Sequence, residues 1–355
     1  MLPDRAEGVP HPADTRRLVG QATAEAAVRD AWASGRLAHG WLLAGPEGIG
    51  KATLAYRMAR AAIAGDGRLE APEDCPVAAR IRAGSEPGLR VLRREVDTES
   101  RSTPKPVQTR IPIRNVRKAK EFLQTSAPDG GWRAVIVDAA DELTLQAANA
   151  FLKLLEEPPA RTLLLLVAHN AGGLLPTIRS RCRRLDLRPL GPGDLSAALA
   201  QAGHDLPPAE AEALAGLSGG SVGRAARLIA SDGLGIYAEL VAAVGERDLD
   251  RAAAHRVASV GAGREGRARA ELRVELALLL LARLARAAVT GPPETEAAPG
   301  EARLMRAAAG QGAVWAEARA RLGARAGQAL AVNLDPGQVI LDMLLDIDAT
   351  RAAAR

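Results

Sequence analysis

Aromatic side chains are scarce in this chain: two Phe, two Tyr and four Trp among 355 residues. Its cores must therefore be filled by Leu, Ala, Val and Ile, which favours helix-rich packing. No run of aromatics offers a stacking platform for single-stranded nucleic acid. Cysteine is also scarce. Cys75 and Cys182 are the only two, far apart in sequence, so no disulfide framework is implied and a cytoplasmic protein with reduced thiols is expected. Long hydrophobic runs are missing too. The longest, Leu276 to Ala282, is broken by Arg283 and Arg286; it is too short to span a bilayer and reads as a buried helix. The opening stretch, MLPDRAEGVPHPADTRR, has no apolar centre and does not read as a signal peptide. No membrane partner is expected.

What the chain does contain is typical of a globular protein, with 47% hydrophobic and 25% charged residues. A length of 355 residues suggests two or three units, each burying its own core. The net charge of +5 suits an anionic partner, but the basic residues are dispersed, so composition alone does not establish direct DNA binding.

From about Val19 to Leu190, short apolar runs alternate with helical segments, the pattern of an α/β unit with a mainly parallel sheet. Strands are expected at Gly40–Ala44, Leu89–Leu92, Arg133–Val137, Thr162–Val167 and Arg184–Leu187. Helices are expected at Gln21–Ser34, Lys51–Ala64, Ile113–Thr125 and Leu145–Glu156, the last stopped by Pro158-Pro159. Asp66–Pro87 reads as a loop or small insertion. After Leu190 the strands cease. Short helices fit Asp194–Ala202, with Asp194 as its N-cap, then Pro208–Leu217 and Ser221–Ala230. From about Gly233 the chain reads as helical with one break, Thr290–Gly300.

The strongest chemical pattern is Gly45-Pro46-Glu47-Gly48-Ile49-Gly50-Lys51-Ala52-Thr53, directly after a strand and opening a helix. Its spacing is that of a phosphate-binding loop up to the last position. Gly45, Gly48 and Gly50 let backbone N–H groups turn inward, the helix N-terminus adds partial positive charge, and Lys51 can reach phosphate oxygens. The next residue should carry a hydroxyl for Mg²⁺ but is Ala52. Thr53 lies about 100° further round the helix. A Gly-rich turn with no ligand remains the alternative. ATP binding is expected to be weak or absent, and Mg²⁺ binding is in doubt.

About ninety residues on, Ala134-Val135-Ile136-Val137-Asp138 reads as a buried strand ending in an acid, which beside such a loop can orient Mg²⁺ or its water. The following position, where a water-activating Glu is wanted, is Ala139. Asp141 and Glu142 come too late for that place, and capping the next helix is the expected role for them.

Further on, Gln146-Ala147-Ala148-Asn149-Ala150-Phe151-Leu152-Lys153-Leu154-Leu155-Glu156-Glu157-Pro158-Pro159 is followed by Pro176-Thr177-Ile178-Arg179-Ser180-Arg181-Cys182. With Val19-Gly20-Gln21 and Leu37-Ala38-His39-Gly40, these segments resemble the bacterial clamp-loader family, meaning the delta-prime and gamma/tau subunits of DNA polymerase III. The resemblance is strong over residues 19–190. It implies a RecA-like P-loop (AAA+) domain over 1–190, a small helical lid over 191–232 and an all-α C-terminal collar domain over 233–355. It also implies partners: gamma/tau and delta subunits, and through the assembled loader a sliding clamp and primed DNA. In that family the Arg of Ser-Arg-Cys acts on ATP held by the neighbouring subunit, a role that falls here on Arg181. A guanidinium suits it, being a permanent charge with a planar fork of donors. From spacing alone, Arg181 is equally one surface arginine beside Arg179, Arg183 and Arg184. Cys182 reads as a packed small residue. His169 or Asn170 stands at the first sensor position, and Arg224, with the register open by one residue, at the second.

The gamma/tau subunits of this family, and many delta-prime subunits, carry a four-Cys zinc module after the P-loop helix. Asp66–Leu92 keeps only Cys75, so no zinc is expected. Ala52, Ala139 and the lost zinc module fit a degenerate delta-prime-type subunit. The competing readings are an active gamma/tau-like ATPase and a P-loop kinase, the latter leaving Ser180-Arg181-Cys182 without a purpose.

Overall fold

A parallel strand buried on both faces needs a continuous apolar run, and β1 (Gly40–Ala44), β3 (Arg133–Asp138) and β4 (Thr162–Ala168) have one at their centres, while the outer strands β2 (Leu89–Arg93) and β5 (Arg183–Asp186) are partly charged and partly exposed. The computed structural model describes residues 8–15, 17–96, 107–125, 130–259, 261, 263–332 and 334–354. Of the opening stretch, residues 1–7 and 16 lie outside the described residues. The five strands form one sheet in the order β2-β3-β4-β1-β5, and every pairing is parallel. All residues of β1 and β4 are buried.

Side chains alternate across the sheet with the strand period of two. Trp41, Leu43, Ile136, Leu163, Leu165 and Val167 join the core beneath α1 (Ala22–Ala33) and α2 (Lys51–Ala64). Leu42, Val135, Val137, Leu164 and Leu166 join the core beneath α4 (Ile113–Gln124) and α5 (Leu145–Glu156). The α/β expectation holds, with helix on both faces.

Several details differ from the sequence expectation. Residues 66–87 are not a plain loop, because α3 (Pro76–Arg82) starts with Pro76, whose fixed φ suits a first helical turn. Ile81, Leu69 and Cys75 are buried there, and Arg60–Asp66 and Arg80–Glu86 ion pairs at 2.7 and 2.8 Å tie the segment down. Strand β5 begins one residue earlier than expected. Helix α6 (Pro176–Arg179) precedes it, and α7 (Pro192–Ala200) starts at its proline, which puts Asp194 in the first turn and makes Gly191 the cap position. The C-terminal helices are broken more than once: Gly245, with φ of 61°, ends one helix, and Asp250 caps the next by accepting from the N–H groups of Ala252 and Ala253.

The chain divides into two compact units, Met1–Leu206 with Gly220–Ala226, and Pro207–Gly219 with Arg227–Arg355. Helix α9 (Val222–Ala230) starts in the first and ends in the second. The second unit is helical: α8 (Pro208–Ser218), α10 (Gly233–Val244), α11 (Arg251–Ala258), α12 (Gly263–Thr290), α13 (Glu301–Ala307), α14 (Gly312–Ala331) and α15 (Pro336–Ala354). Leu276, Leu280, Leu281 and Leu284 of α12 pack in this core with Trp315, Leu322, Leu344 and Ile347. Among the described residues no helix is long and apolar enough to cross a membrane.

Candidate functional site

The sheet order places the ends of β3, β4 and β1 side by side. Asp138 pairs in register with Val167, and Ala44 with Ala168. The acid at the end of β3 thus lies two strands from the loop that follows β1, roughly 10 Å at the usual inter-strand spacing. The end of β4 lies between them. This carboxyl edge is where open parallel sheets bind ligands.

The loop from Gly45 to Gly50 takes its shape from backbone conformations that side chains resist: φ is 142° at Gly45, 76° at Gly48 and 100° at Gly50. Gly48 also has no room for a side chain, since a Cβ there would stand 2.3 Å from Ser221 Oγ. Just beside it, the Val222 N–H donates to the Gly48 carbonyl at 2.9 Å. That bond brings the start of α9, and with it the backbone of Arg224, against the loop; the Arg224 N–H donates to Ser221 Oγ at 3.2 Å. Lys51 opens α2 and is buried. Its Nζ donates to the carbonyls of Gly45, at 2.7 Å, and Pro46. Burial pushes its pKa down from 10.5 to about 8, against the pull of Asp138, Glu47 and Asp141. Thr53 is buried one residue beyond Ala52, on the body of α2. The residues therefore do not fit Mg²⁺ held through a P-loop hydroxyl, because the position that should carry it ends in a methyl group.

On the acidic side, Ala139 is buried. Asp141 does not cap α5, contrary to expectation. Its two carboxylate oxygens accept the backbone N–H groups of His169 and Asn170, each at 3.1 Å. Glu142 pairs with Arg94 at 3.0 Å. The cap of α5 is Thr144, whose hydroxyl accepts from the Ala147 N–H at 3.2 Å. The reason is chain geometry: a short 3₁₀ turn over Ala140–Glu142 carries the acids off the helix axis before the helix begins. Of the two sensor candidates, Asn170 uses its side-chain oxygen to accept from the Gly172 N–H at 3.1 Å. His169 keeps a buried Nδ1 with no protein partner. Burial holds its pKa below the ordinary range, and the charge of Lys51 adds to the effect.

Arg181 lies at the other end of the sheet. A Cβ added at Gly40, the first residue of β1, would meet Leu155 Cδ2 at 2.9 Å, the Arg181 carbonyl at 3.4 Å and Cys182 Sγ at 3.5 Å. The His39 ring nitrogen Nε2 bonds the Leu155 carbonyl at 3.0 Å. Three of the motifs singled out in the sequence, around His39-Gly40, Leu155-Glu156 and Arg181-Cys182, thus converge at the amino edge of β1. The P-loop leaves the carboxyl edge of the same strand, roughly 16 Å away at the usual rise per residue. The Arg181 side chain is 38% exposed, with Nη2 at 2.8 Å from Glu156 Oε1 and Nη1 donating to the Thr177 carbonyl at 3.1 Å. Burial pushes the Cys182 thiol up to about 12, which makes it a packing group rather than a nucleophile. Among the described residues no group of three or more His, Cys, Asp or Glu side chains could hold a metal ion.

Sequence reasoning missed one residue that shapes the loop. Gln21 is buried, and its amide donates to the carbonyls of Ile49 at 3.3 Å and Arg188 at 2.7 Å while accepting the Arg188 N–H at 3.2 Å. The signal available was its place in Val19-Gly20-Gln21. Nothing in a single Gln foretells which backbone groups it satisfies.

A five-stranded parallel sheet in this order, a glycine loop and buried lysine after the fourth strand across, an acid two strands away and a helical segment closing on the loop define a P-loop AAA+ module. Residues 20–191 match the family model described as "DNA polymerase III, delta subunit". That segment, a little under half of the chain, is where the likeness to this family lies. It is similar to DNA polymerase III subunit delta' of Pseudomonas aeruginosa, 38% identical over 197 residues, covering 54% of this chain and 56% of that one. The subunit delta' of Bacillus subtilis is 30% identical, with 52% and 51% covered. A gamma/tau subunit of Mycobacterium tuberculosis is 30% identical over 194 residues, covering 54% of this chain and 31% of that one. The chain spans about half the length of the delta' relatives it matches.

Proposed function

We propose that this chain is a delta-prime-type subunit of the DNA polymerase III clamp loader that turns over little or no ATP itself and supplies Arg181 to nucleotide bound by a gamma/tau-type neighbour. In this reading residues 1–190 are the nucleotide module, 191–232 a lid and 233–355 a collar joining it to gamma/tau and delta subunits. The assembled ring opens a sliding clamp and places it on primed DNA. Gly45, Gly48, Gly50, Lys51 and Asp138 form a remnant cradle that binds ATP weakly. Thr53 is a buried residue of α2 and no metal ligand.

The observation that carries the reading is the position of Arg181. It is half-exposed and stands a full strand length from its own P-loop, which supports a phosphate partner on another chain over one in its own loop. Ala52 and Ala139 support the other half, since the metal's hydroxyl and the water-activating carboxylate are both replaced by methyl groups.

The test is a reconstituted loader in which the only P-loop lysine left intact belongs to the gamma/tau subunit facing this chain. Arg181→Ala is expected to leave the ring assembled, as judged by size-exclusion chromatography, and to lower its ATP turnover by a factor on the order of 10³. Turnover at the unsubstituted rate means the arginine is an ordinary surface residue.

A further inference from the structure

Glu156 is the last residue of α5, where a carboxylate faces the negative end of the helix dipole and weakens the helix rather than supporting it. Lys153, one turn earlier, is the kind of residue that end favours. The acid is nonetheless held firmly. Leu155 beside it is buried, its carbonyl is bonded by His39, and Pro158-Pro159 stop the chain from continuing the helix. What Glu156 does have is Arg181, with Oε1 at 2.8 Å from Nη2. The other terminal nitrogen, Nη1, is held by the Thr177 carbonyl at 3.1 Å. Two acceptors on separate segments thus fix both arms of the guanidinium and with them its plane. The remaining N–H groups of the fork are left for phosphate oxygens.

We propose that Glu156 is a positioning residue: it sets the guanidinium plane of Arg181 so that the fork meets a neighbour's phosphate already aligned. This rests on the trans-arginine reading above. The ion pair is partly exposed, its two side chains 38% and 46% accessible, so it contributes little to folding and its value lies in orientation. An arginine without it keeps its charge but must be ordered at each turnover. The loss therefore falls on kcat, while the apparent KM for ATP, set in the neighbouring subunit, stays as it was.

The experiment uses the loader with a single intact P-loop lysine described above and compares kcat and KM for ATP across five versions of this chain. Glu156→Ala is expected to lower kcat about threefold to fivefold at unchanged KM. Glu156→Gln, which keeps an oxygen acceptor, is expected to recover most of that loss. Glu156→Ala combined with Arg181→Ala is expected to be no slower than Arg181→Ala alone. If Arg181→Ala slows turnover but Glu156→Ala does not, the positioning role is wrong and the trans arginine stands. A further loss from Glu156→Ala in the Arg181→Ala background also overturns it, because Glu156 would then act through something else. If Arg181→Ala itself leaves turnover unchanged, the trans-arginine reading fails, and this inference with it. Melting temperatures of the separate chains, expected to be equal, exclude misfolding as the cause of a slower ring.

Discussion

Lys51 is a cation in a buried place, tied to two carbonyls of the loop it follows. Desolvation wins over Asp138, Glu47 and Asp141, and the pKa falls from 10.5 to about 8. The sign of two consequences follows. The unfolded chain holds this proton up to the ordinary lysine range and the folded chain releases it earlier. Between about 8 and 10.5 the unfolded state thus binds more protons, and the contribution of this group to stability rises with pH. Phosphate binding runs the other way, because the anion needs the ammonium form. Nucleotide affinity is expected to weaken as pH passes above about 8, read by titration calorimetry at pH 7 and pH 9. Affinity independent of pH in wild type, or an equal pH dependence in Lys51→Met, would show that the lysine does not meet the phosphates.

At the scale of elements, the helical unit contains a buried polar junction that sequence periodicity cannot reveal. Arg283 of α12 grips Glu301 of α13 through Nε and Nη2 at 2.7 and 3.0 Å. Its Nη1 donates to the Gly216 carbonyl of α8 at 3.2 Å, and the Tyr237 hydroxyl of α10 donates to Glu301. The Ala297 N–H donates to the other carboxylate oxygen at 2.8 Å. Burial alone would lower the Arg283 pKa; the Glu301 hydrogen bonds outweigh it and hold it above its ordinary value. Burial, followed by the Glu301 charge, raises that of Tyr237. A buried pair is a weak source of net stability but costly to break. Glu301→Ala is expected to destabilise the unit by about 3–5 kcal/mol, and Tyr237→Phe by only about 1 kcal/mol, both measured by chemical denaturation. Equal effects from the two would mean that Glu301 is not the hub. Sequence had marked Arg283 only as an interruption of the apolar run from Leu276. That interruption is the residue joining three other helices. The central strands β1, β3 and β4 were legible because short apolar runs bounded by polar segments are too short for helices, and α2 because the glycine loop announces its start. The role of Asp141 was not legible. Its partners are backbone N–H groups of residues 169 and 170, which a one-dimensional pattern cannot bring near it. Helix α3 was hidden for another reason: Gly and Pro around it mark loops, yet Pro76 at a first helical position starts a helix as readily as it breaks one.

For the whole molecule, the proposed reading divides the parts of a phosphoryl-transfer site between the two edges of one sheet. The carboxyl edge keeps the cradle, with Lys51, Asp138 and His169, but not the metal's hydroxyl. The amino edge holds Arg181, paired and half-exposed. In that reading nucleotide is held by backbone N–H groups and Lys51, and these contacts need no metal. The isolated protein is accordingly expected to bind ATP with affinities in excess Mg²⁺ and in EDTA that agree within about threefold, and to show no turnover in either. The lost position can be restored. Ala52 stands one residue after Lys51 in the first turn of α2 and is only partly buried, so a hydroxyl there replaces a hydrogen without overfilling the core. Ala52→Ser is expected to make binding Mg²⁺-dependent, by roughly tenfold for one recovered ligand–metal contact of ~1.4 kcal/mol. Hydrolysis should remain negligible, because Ala139 still leaves the attacking water without a base. Strong Mg²⁺ dependence in the unsubstituted chain would mean that Asp138 or Thr53 holds the metal. Steady turnover by that chain alone would return it to the active ATPases.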